Sequence, residues 1–115
     1  MAFNMGNAER TTHAEMPRIT PTRFALLDLE RLRLFLREKN PEASERAAKT
    51  LRDGINKIAL FPEKFKPVQD MPFHRDAVID FGSSGYIVRY HYKPGGDIII
   101  LRIRHQKENR YPDLE

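Results

Sequence analysis

The last third of the chain alternates short runs of aliphatic and aromatic residues with turns that contain glycine. The runs cover residues 77–81, 86–92 and 98–104, and the turns cover residues 82–85 and 95–96. Runs that are rich in β-branched and aromatic residues and bounded by glycine are typical of strands. The pattern therefore predicts three antiparallel strands joined by hairpins, and the upstream segments are expected to cover this sheet.

The register between the last two strands follows from the turn between them. Gly95-Gly96 suits a two-residue hairpin turn, which sets Lys93 opposite Ile98. By strand alternation, one face is then mainly apolar and is expected to form the core. Its members are Tyr86, Val88, Tyr90, Tyr92, Ile99, Leu101, Ile103 and, at its end, His105. The opposite face is mainly basic, and its cross-strand pairs are Arg89 with Arg102, His91 with Ile100, and Ile87 with Arg104.

Upstream, apolar residues recur at helical spacing in two segments. Thr20-Pro21 is a start signal for the first, because a hydroxyl caps a helix and proline suits its first position. From there to residue 37 the expected buried stripe is Ala25, Leu29, Leu32 and Leu36, widened by Phe24, Leu26 and Phe35. The second segment runs to about residue 59, and its expected stripe is Ala47, Leu51, Ile55 and Ile58.

Asn40-Pro41 separates the two predicted helices. Asn40 tolerates the left-handed conformation that ends many helices, and it can also cap the next helix, with Pro41 at the first position. The connection is therefore very short, which predicts an antiparallel helix hairpin. Gly54, inside the second helix, costs about 1 kcal/mol relative to alanine, and close packing is one reason for its presence.

The predicted fold is a single α+β domain. Residues 16–20 are predicted to form a short edge strand, so the order is β-α-α-β-β-β, with the helix hairpin packed on a small antiparallel sheet. Residues 1–15 are polar and without periodicity, which predicts a flexible N-terminal arm. Residues 108–115 are predicted to form a polar C-terminal tail, which leaves residues 16–107 as the folded domain.

Composition narrows the classes of site. The chain has 115 residues and no cysteine, which excludes disulfides, a thiolate zinc site and a cysteine nucleophile. Its four histidines show no metal-ligand spacing, so neither a metal nor another cofactor is predicted. No apolar run reaches the roughly 20 residues of a membrane helix, and no secretory leader is evident, so a cytoplasmic location is expected. The net charge of +4 predicts an acidic partner, either nucleic acid or an acidic protein.

The basic face of the predicted sheet is the main candidate site. Like charges directly opposite each other destabilise a sheet, so Arg89 against Arg102 requires a carboxylate neighbour, solvent or an anionic partner. Salt bridges to Asp80 or to a glutamate of the tail would be a purely structural explanation. The candidate residues for binding an anionic partner are Arg89, His91, Arg102, Arg104 and Lys107.

Four segments together resemble the ParE/RelE superfamily of bacterial type II toxin–antitoxin toxins, and most closely its ParE branch of plasmid stabilisation proteins. They are residues 26–44 (LLDLERLRLFLREKNPEAS), 60–62 (LFP), 78–92 (VIDFGSSGYIVRYHY) and 100–106 (ILRIRHQ). The resemblance covers residues 16–107 or nearly so. It implies a small toxin that is neutralised by a cognate antitoxin in a hetero-oligomer, with an acidic or amphipathic antitoxin segment wrapped around it.

The resemblance implies one of two toxic activities. RelE-like members cleave mRNA in the ribosomal A site, whereas characterised ParE-like members inhibit DNA gyrase without a catalytic site. RelE-like toxins commonly carry a basic residue directly after the tyrosine of the middle strand, but here Ile87 follows Tyr86. A related branch would place a histidine and a tyrosine near Gln106 and Lys107, and neither residue type is present there.

Inhibition of gyrase by binding is therefore the expected activity. One alternative is a ribosome-dependent RNA endonuclease, acting on ribosome-bound mRNA, with Arg89, Arg102, Arg104 and His105 as candidate catalytic residues. The register places His105 on the core side near Tyr86, which favours a hydrogen-bonded structural histidine over an acid–base catalyst. A non-toxic basic binding domain is the other alternative.

Overall fold

The computed structural model describes residues 16–114, so the predicted N-terminal arm lies outside the described residues. Two helices and five strands follow one another along the chain. Their bounds are β1 Ile19–Pro21, α1 Arg23–Lys39, α2 Pro41–Leu60, β2 Lys66–Pro67, β3 His74–Phe81, β4 Ser84–Tyr92 and β5 Ile98–His105. The α+β class and the helix hairpin are confirmed, and the two-residue strand β2 is an addition to the predicted order.

The sheet is mixed, with the strand order β1-β5-β4-β3-β2. The predicted hairpins β3–β4 and β4–β5 are antiparallel, but β1 runs parallel to β5, with Ile19 opposite Ile98. An all-antiparallel sheet was therefore wrong at this edge. The pairing joins residues about 80 positions apart in the chain, so no turn between the two strands indicates whether they run parallel or antiparallel.

The first helix begins two residues later than predicted. Thr20 and Pro21 belong to β1, and the backbone N–H of Thr22 continues the strand by donating to the carbonyl of Ile100 at 2.9 Å. The side chain of Thr22 then caps α1, because its hydroxyl accepts from the N–H of Ala25 at 3.1 Å. Pairing with β5 thus overrides the threonine–proline start signal.

Asn40 joins the two helices as predicted. Its backbone N–H donates to the carbonyl of Leu36 at 2.8 Å, and its side chain accepts from the N–H of Ala43 at 3.1 Å. Pro41 is the first residue of α2. The left-handed conformation predicted for Asn40 was wrong: its φ of −160° is extended, which is the conformation that a helix N-cap requires.

The core lies between the helix hairpin and one face of the sheet. The predicted stripe of α2 is buried, and that of α1 is buried except for Leu36, which is half-buried against the core. Phe24, Leu26 and Phe35 were expected to widen the stripe of α1, but they are exposed. The helix instead buries the carboxylate of Asp28, so its inward face is narrower and less apolar than the pattern suggested.

The predicted register between β4 and β5 holds for half of the ladder. Pairs from Tyr86 with His105 to Arg89 with Arg102 are as expected, and a β-bulge then shifts the register, so that Tyr90 faces Ile100. The core consequently receives Ile98 and Ile100 in place of Ile99 and Leu101. A bulge inserts one unpaired residue and leaves no distinct mark in an aliphatic run such as residues 98–101.

The loops at the two hairpins also differ from the prediction. Phe81 pairs with Ser84, so the first turn consists of Gly82 and Ser83 alone, with Gly82 at a φ of +64°. The second connection runs from residue 93 to residue 97 and is longer than the predicted two-residue turn. The shifted register at the bulge absorbs this difference.

The contact between Gly54 and Ile79 gives a stability prediction. A Cβ atom at Gly54 would lie 2.6 Å from Cδ1 of Ile79, so the glycine allows α2 to approach β3 closely. We expect Gly54→Ala to destabilise the protein, since overpacking costs about 1–3 kcal/mol. In an Ile79→Ala background the same change should stabilise by up to about 1 kcal/mol, because only helix propensity then acts. Urea unfolding of the four chains measures this, and equal effects in both backgrounds would contradict the close-packing role.

Candidate functional site

Two arginines lie side by side on the face of the sheet that points away from the helices, here called the open face. Arg89 on β4 pairs directly with Arg102 on β5. The guanidinium of Arg89 binds both carboxylate oxygens of Asp76, at 2.9 and 3.0 Å. That of Arg102 binds both oxygens of Asp28, at 2.8 and 3.1 Å. These hydrogen bonds raise the pKa of both arginines and compensate the like-charge pair.

The partners of these arginines differ from those predicted. The ladder places Asp76 on β3 directly opposite Arg89, whereas Asp80 lies opposite Gly85, farther along β4. The tail glutamate Glu108 binds Arg31 instead, at 2.6 Å. Arg89 and Arg102 therefore do form salt bridges, as the structural explanation expected, but the predicted partners, Asp80 and a tail glutamate, were wrong.

Asp28 replaces a strand neighbour at the edge of the sheet. β1 pairs with β5 only as far as Ile100, and beyond that point α1 covers the unpaired edge of β5. There the carboxylate of Asp28 accepts from the N–H of Ile103 at 2.8 Å, and Arg31 donates to the carbonyl of Ile103 at 3.2 Å. Sequence reasoning missed Asp28, although an acidic residue next to an apolar helical stripe was a usable sign of a buried ion pair.

A tyrosine of the C-terminal segment covers the arginines. The ring centroid of Tyr111 lies 5.5, 5.1 and 5.4 Å from the guanidinium carbons of Arg89, Arg102 and Arg104. We call these three residues the arginine cluster. Burial of the ring raises the pKa of Tyr111 to about 12, so the phenol is neutral at physiological pH. The tail was predicted as polar and irregular, and its packing on the open face was not foreseen.

Main-chain carbonyls of the same segment accept from the cluster. Arg102 donates to the carbonyl of Pro112 at 2.7 Å, and Arg104 donates to that of Glu108. We call residues 108–112 the strap. Within residues 16–114, Arg104 makes no ion pair with a carboxylate, whereas Arg89 and Arg102 each have one. Arg104 is therefore the member of the cluster whose charge is met only by neutral acceptors.

His105 lies apart from the arginine cluster. It is on the core side of β5, where its ring packs edge-on against Tyr86 with centroids 5.4 Å apart. Nδ1 accepts from the backbone N–H of Lys107 at 3.1 Å, and Nε2 lies 3.1 Å from the hydroxyl of Ser84. Both ring nitrogens are engaged, as the hydrogen-bonded structural interpretation expects.

The remaining predicted residues, His91 and Lys107, lie at the margins. His91 is on the open face, and its ring contacts that of His74 on β3, with centroids 5.3 Å apart, and the ring of Phe73. Lys107 is exposed in the turn after β5. The structure thus brings together three of the five predicted binding residues and adds Tyr111, Asp76 and Asp28 to them.

A second concave surface lies between the two helices. It is a groove of about 390 Å³ with an apolar lining that includes Leu26, Leu36, Ala48 and Leu51. Alanines on α2 leave this space because they project so little from the helix. Glu30, Arg33 and Arg52 also line the groove, so its polar lining carries more positive than negative side chains.

Residues 16–114 contain neither a metal-binding cluster nor a helix that could span a membrane. Nowhere in that part of the chain do three side chains of the histidine, cysteine, aspartate and glutamate types come close enough to hold a metal ion. Neither helix in the same range has the length and hydropathy to cross a membrane.

Comparison with known proteins matches this architecture. The solved structure of a chromosomal ParDE TA system from P. aeruginosa aligns with a TM-score of 0.66 and 18% identity, over 79% of this chain and 97% of that chain. Toxin RelE1 of Caulobacter vibrioides is 31% identical over 83 residues, which are 72% of this chain and 86% of the relative.

The fold and these relatives define a toxin of a type II toxin–antitoxin system, a class of protein whose partner is a cognate antitoxin. The family model described as the ParE toxin of the type II toxin–antitoxin system parDE matches residues 19–110. The chain belongs to this ParE toxin family.

The two carboxylates of the open face allow a matched test of burial. Asp28 is fully buried, whereas the Asp76 side chain is 26% exposed; each binds one arginine bidentately, and Asp28 also accepts from Arg31 at 3.1 Å. We expect Asp28→Ala to lower the free energy of unfolding by about 3–5 kcal/mol, because two arginines and the N–H of Ile103 lose their common partner. Asp76→Ala should cost about 1 kcal/mol or less. Chemical denaturation measures both, and similar losses would contradict the central role of Asp28.

Proposed function

We propose that this ParE-family toxin arrests growth by binding DNA gyrase rather than by cleaving RNA. The observation that carries this proposal is Ile87, which lies on the open face between Val78 of β3 and Arg104 of β5. RelE-like toxins commonly carry a basic residue directly after the tyrosine of the middle strand, which is Tyr86 here. Because Ile87 places an apolar side chain next to the arginine cluster instead, we infer that this surface binds a partner and performs no acid–base chemistry.

The engagement of the other candidate groups supports the same proposal. Arg89 and Arg102 hold carboxylates of their own chain, so their first role is to stabilise the sheet. His105 lies on the opposite side of the sheet from the cluster and has partners for both ring nitrogens. A proton-transfer role would need His105 within hydrogen-bond reach of a substrate held by the arginines.

An RNA endonuclease is the second candidate function, and specific observations favour it. One relative is named toxin RelE1, and the arginine cluster includes one guanidinium, that of Arg104, without a carboxylate partner among residues 16–114. Such a group would bind a phosphodiester well.

Purified toxin distinguishes the two candidates. We expect it to block supercoiling by gyrase and to leave ribosome-bound mRNA intact, because Ile87 replaces the expected cation. Primer extension on ribosome-bound mRNA and a plasmid supercoiling assay measure the two outcomes. Cleaved mRNA with normal supercoiling would overturn the gyrase proposal in favour of the endonuclease. Normal growth of cells that express the chain without an antitoxin would instead support a non-toxic binding domain.

We propose that the groove between α1 and α2 receives an amphipathic helical segment of the antitoxin. The apolar lining suits the apolar face of such a helix. Arg33 and Arg52, together with the net charge of +4, favour acidic residues beside that face. The arginine cluster is a second surface for an anionic partner, and it lies on the other side of the sheet from the groove.

Two leucines of α1 provide a matched test of the groove. Leu26 lines the groove and is 44% exposed, whereas Leu34 is 40% exposed and does not line it. Leu26→Glu should weaken antitoxin binding by about tenfold or more, because the substitution removes apolar contact and repels an acidic helix. Leu34→Glu should leave affinity nearly unchanged. Calorimetric titration measures both, and a larger effect of Leu34→Glu would place the antitoxin on the outer face of α1.

A further inference from the structure

We propose that the strap is an internal ligand of the arginine cluster, and that its residues 109–112 must leave before a phosphate group can bind Arg102 and Arg104. The inference rests on the proposed role of the cluster as an anion-binding surface, and it adds a gate to that surface. In the closed state the gate consists of the Tyr111 ring and the carbonyl of Pro112, whereas the carbonyl of Glu108 accepts from Arg104 and stays in place when the gate opens.

The acceptors that the strap supplies are weaker than an anion would be. Arg102 and Arg104 donate to main-chain carbonyls, which carry no net charge. Hydrogen bonds from a guanidinium to an anionic oxygen are roughly twice as strong as those between neutral groups. A phosphate that reached these donors would therefore compete well against the two carbonyls.

The position of Tyr111 explains why the strap must leave. A single ring lies within 5.1 to 5.5 Å of all three guanidiniums, so it occupies the point on which the cluster converges. A ligand at that point contacts the arginines only when the ring has moved away. Cation–π contacts of this kind are attractive, so the closed state is favoured when no ligand is present.

The strap has its ionic anchor at one end only. At its start, the Glu108 carboxylate binds Arg31 at 2.6 Å and the N–H of His105 at 2.8 Å. From Tyr111 onward, within the part of the chain that the structure describes, it is held by the contacts of the Tyr111 ring and by one hydrogen bond, from Arg102 to the carbonyl of Pro112. A segment without an ion pair to the sheet opens more easily than an anchored one, so residues 109–112 can swing away while Glu108 stays bound.

Phosphate fits the opened cluster better than a carboxylate does. Arg89 and Arg102 already use two donors each on Asp76 and Asp28, so the donors that remain come from different side chains. A carboxylate is matched to one guanidinium fork, whereas a phosphate presents three or more acceptor oxygens in a tetrahedron. Arg104, which no carboxylate of residues 16–114 compensates, supplies the excess positive charge.

Calorimetric titration with inorganic pyrophosphate tests the gate directly. We expect the full chain to bind weakly, and both Tyr111→Ala and a full-length chain with glycine at positions 109–112 to bind about tenfold more tightly. Adding Arg104→Gln to either variant should abolish the gain. Arg46→Gln removes the same charge from the exposed side of α2, outside the cluster, and should not affect the gain. Two variants that open the strap differently guard against misfolding of one of them.

Three results would overturn the inference. Equal affinity of the full chain and both opened chains would show that the strap does not gate the cluster. An equal effect of Arg46→Gln and Arg104→Gln would reveal general charge attraction instead of a site. Tighter binding of oligoglutamate than of pyrophosphate by the opened chains would assign the cluster to acidic peptides. None of these measurements depends on gyrase or mRNA, so the gate and the proposed toxic activity fail or succeed separately.

Discussion

The buried carboxylate of Asp28 is the interaction on which the rest of the structure depends. A charge that is removed from water is tolerated only where cations and hydrogen-bond donors surround it. Asp28 obtains them from Arg31, from Arg102 and from a main-chain N–H of β5. Because Arg31 also binds Glu108 and Arg102 also binds Pro112, one carboxylate ties the first helix, the last strand and the C-terminal segment together.

This network determines which charges are available to a partner. Arg89 and Arg102 are compensated by carboxylates of the chain, so the open face is less electropositive than its sequence implies. Arg104, beneath the strap, has no carboxylate partner among residues 16–114. On the other side of the sheet, Arg33 and Arg52 line the groove between the helices. A toxin of 115 residues thus presents two separate surfaces, one apolar with basic residues in its lining and one basic with an aromatic cover.

The regular part of the fold could be predicted from the sequence because its causes are local. Helical periodicity identified the buried stripe of α2, and Asn40 marked the junction between the helices. The pairing of Arg89 with Arg102 also agrees with the prediction, because the β-bulge offsets the longer loop between β4 and β5. The parallel pairing of β1 was missed because it joins distant residues, and the β-bulge was missed because an aliphatic run looks the same with or without one.

By itself, the sequence determined the α+β class, the two helices, the three long strands and the resemblance to one superfamily. Each of these follows from residue types at short spacing, since periodicity and turn chemistry act over a few positions. Only the tertiary structure decided that Asp28 and Asp76 compensate the arginines and that Tyr111 covers them. The contact of Asp28 with Arg102 joins residues far apart in the chain, and the cost of burying a charge selects it. Asp76 and Tyr111 are nearer to their arginines in the chain, but the register of the strands and the path of the C-terminal segment decide those contacts.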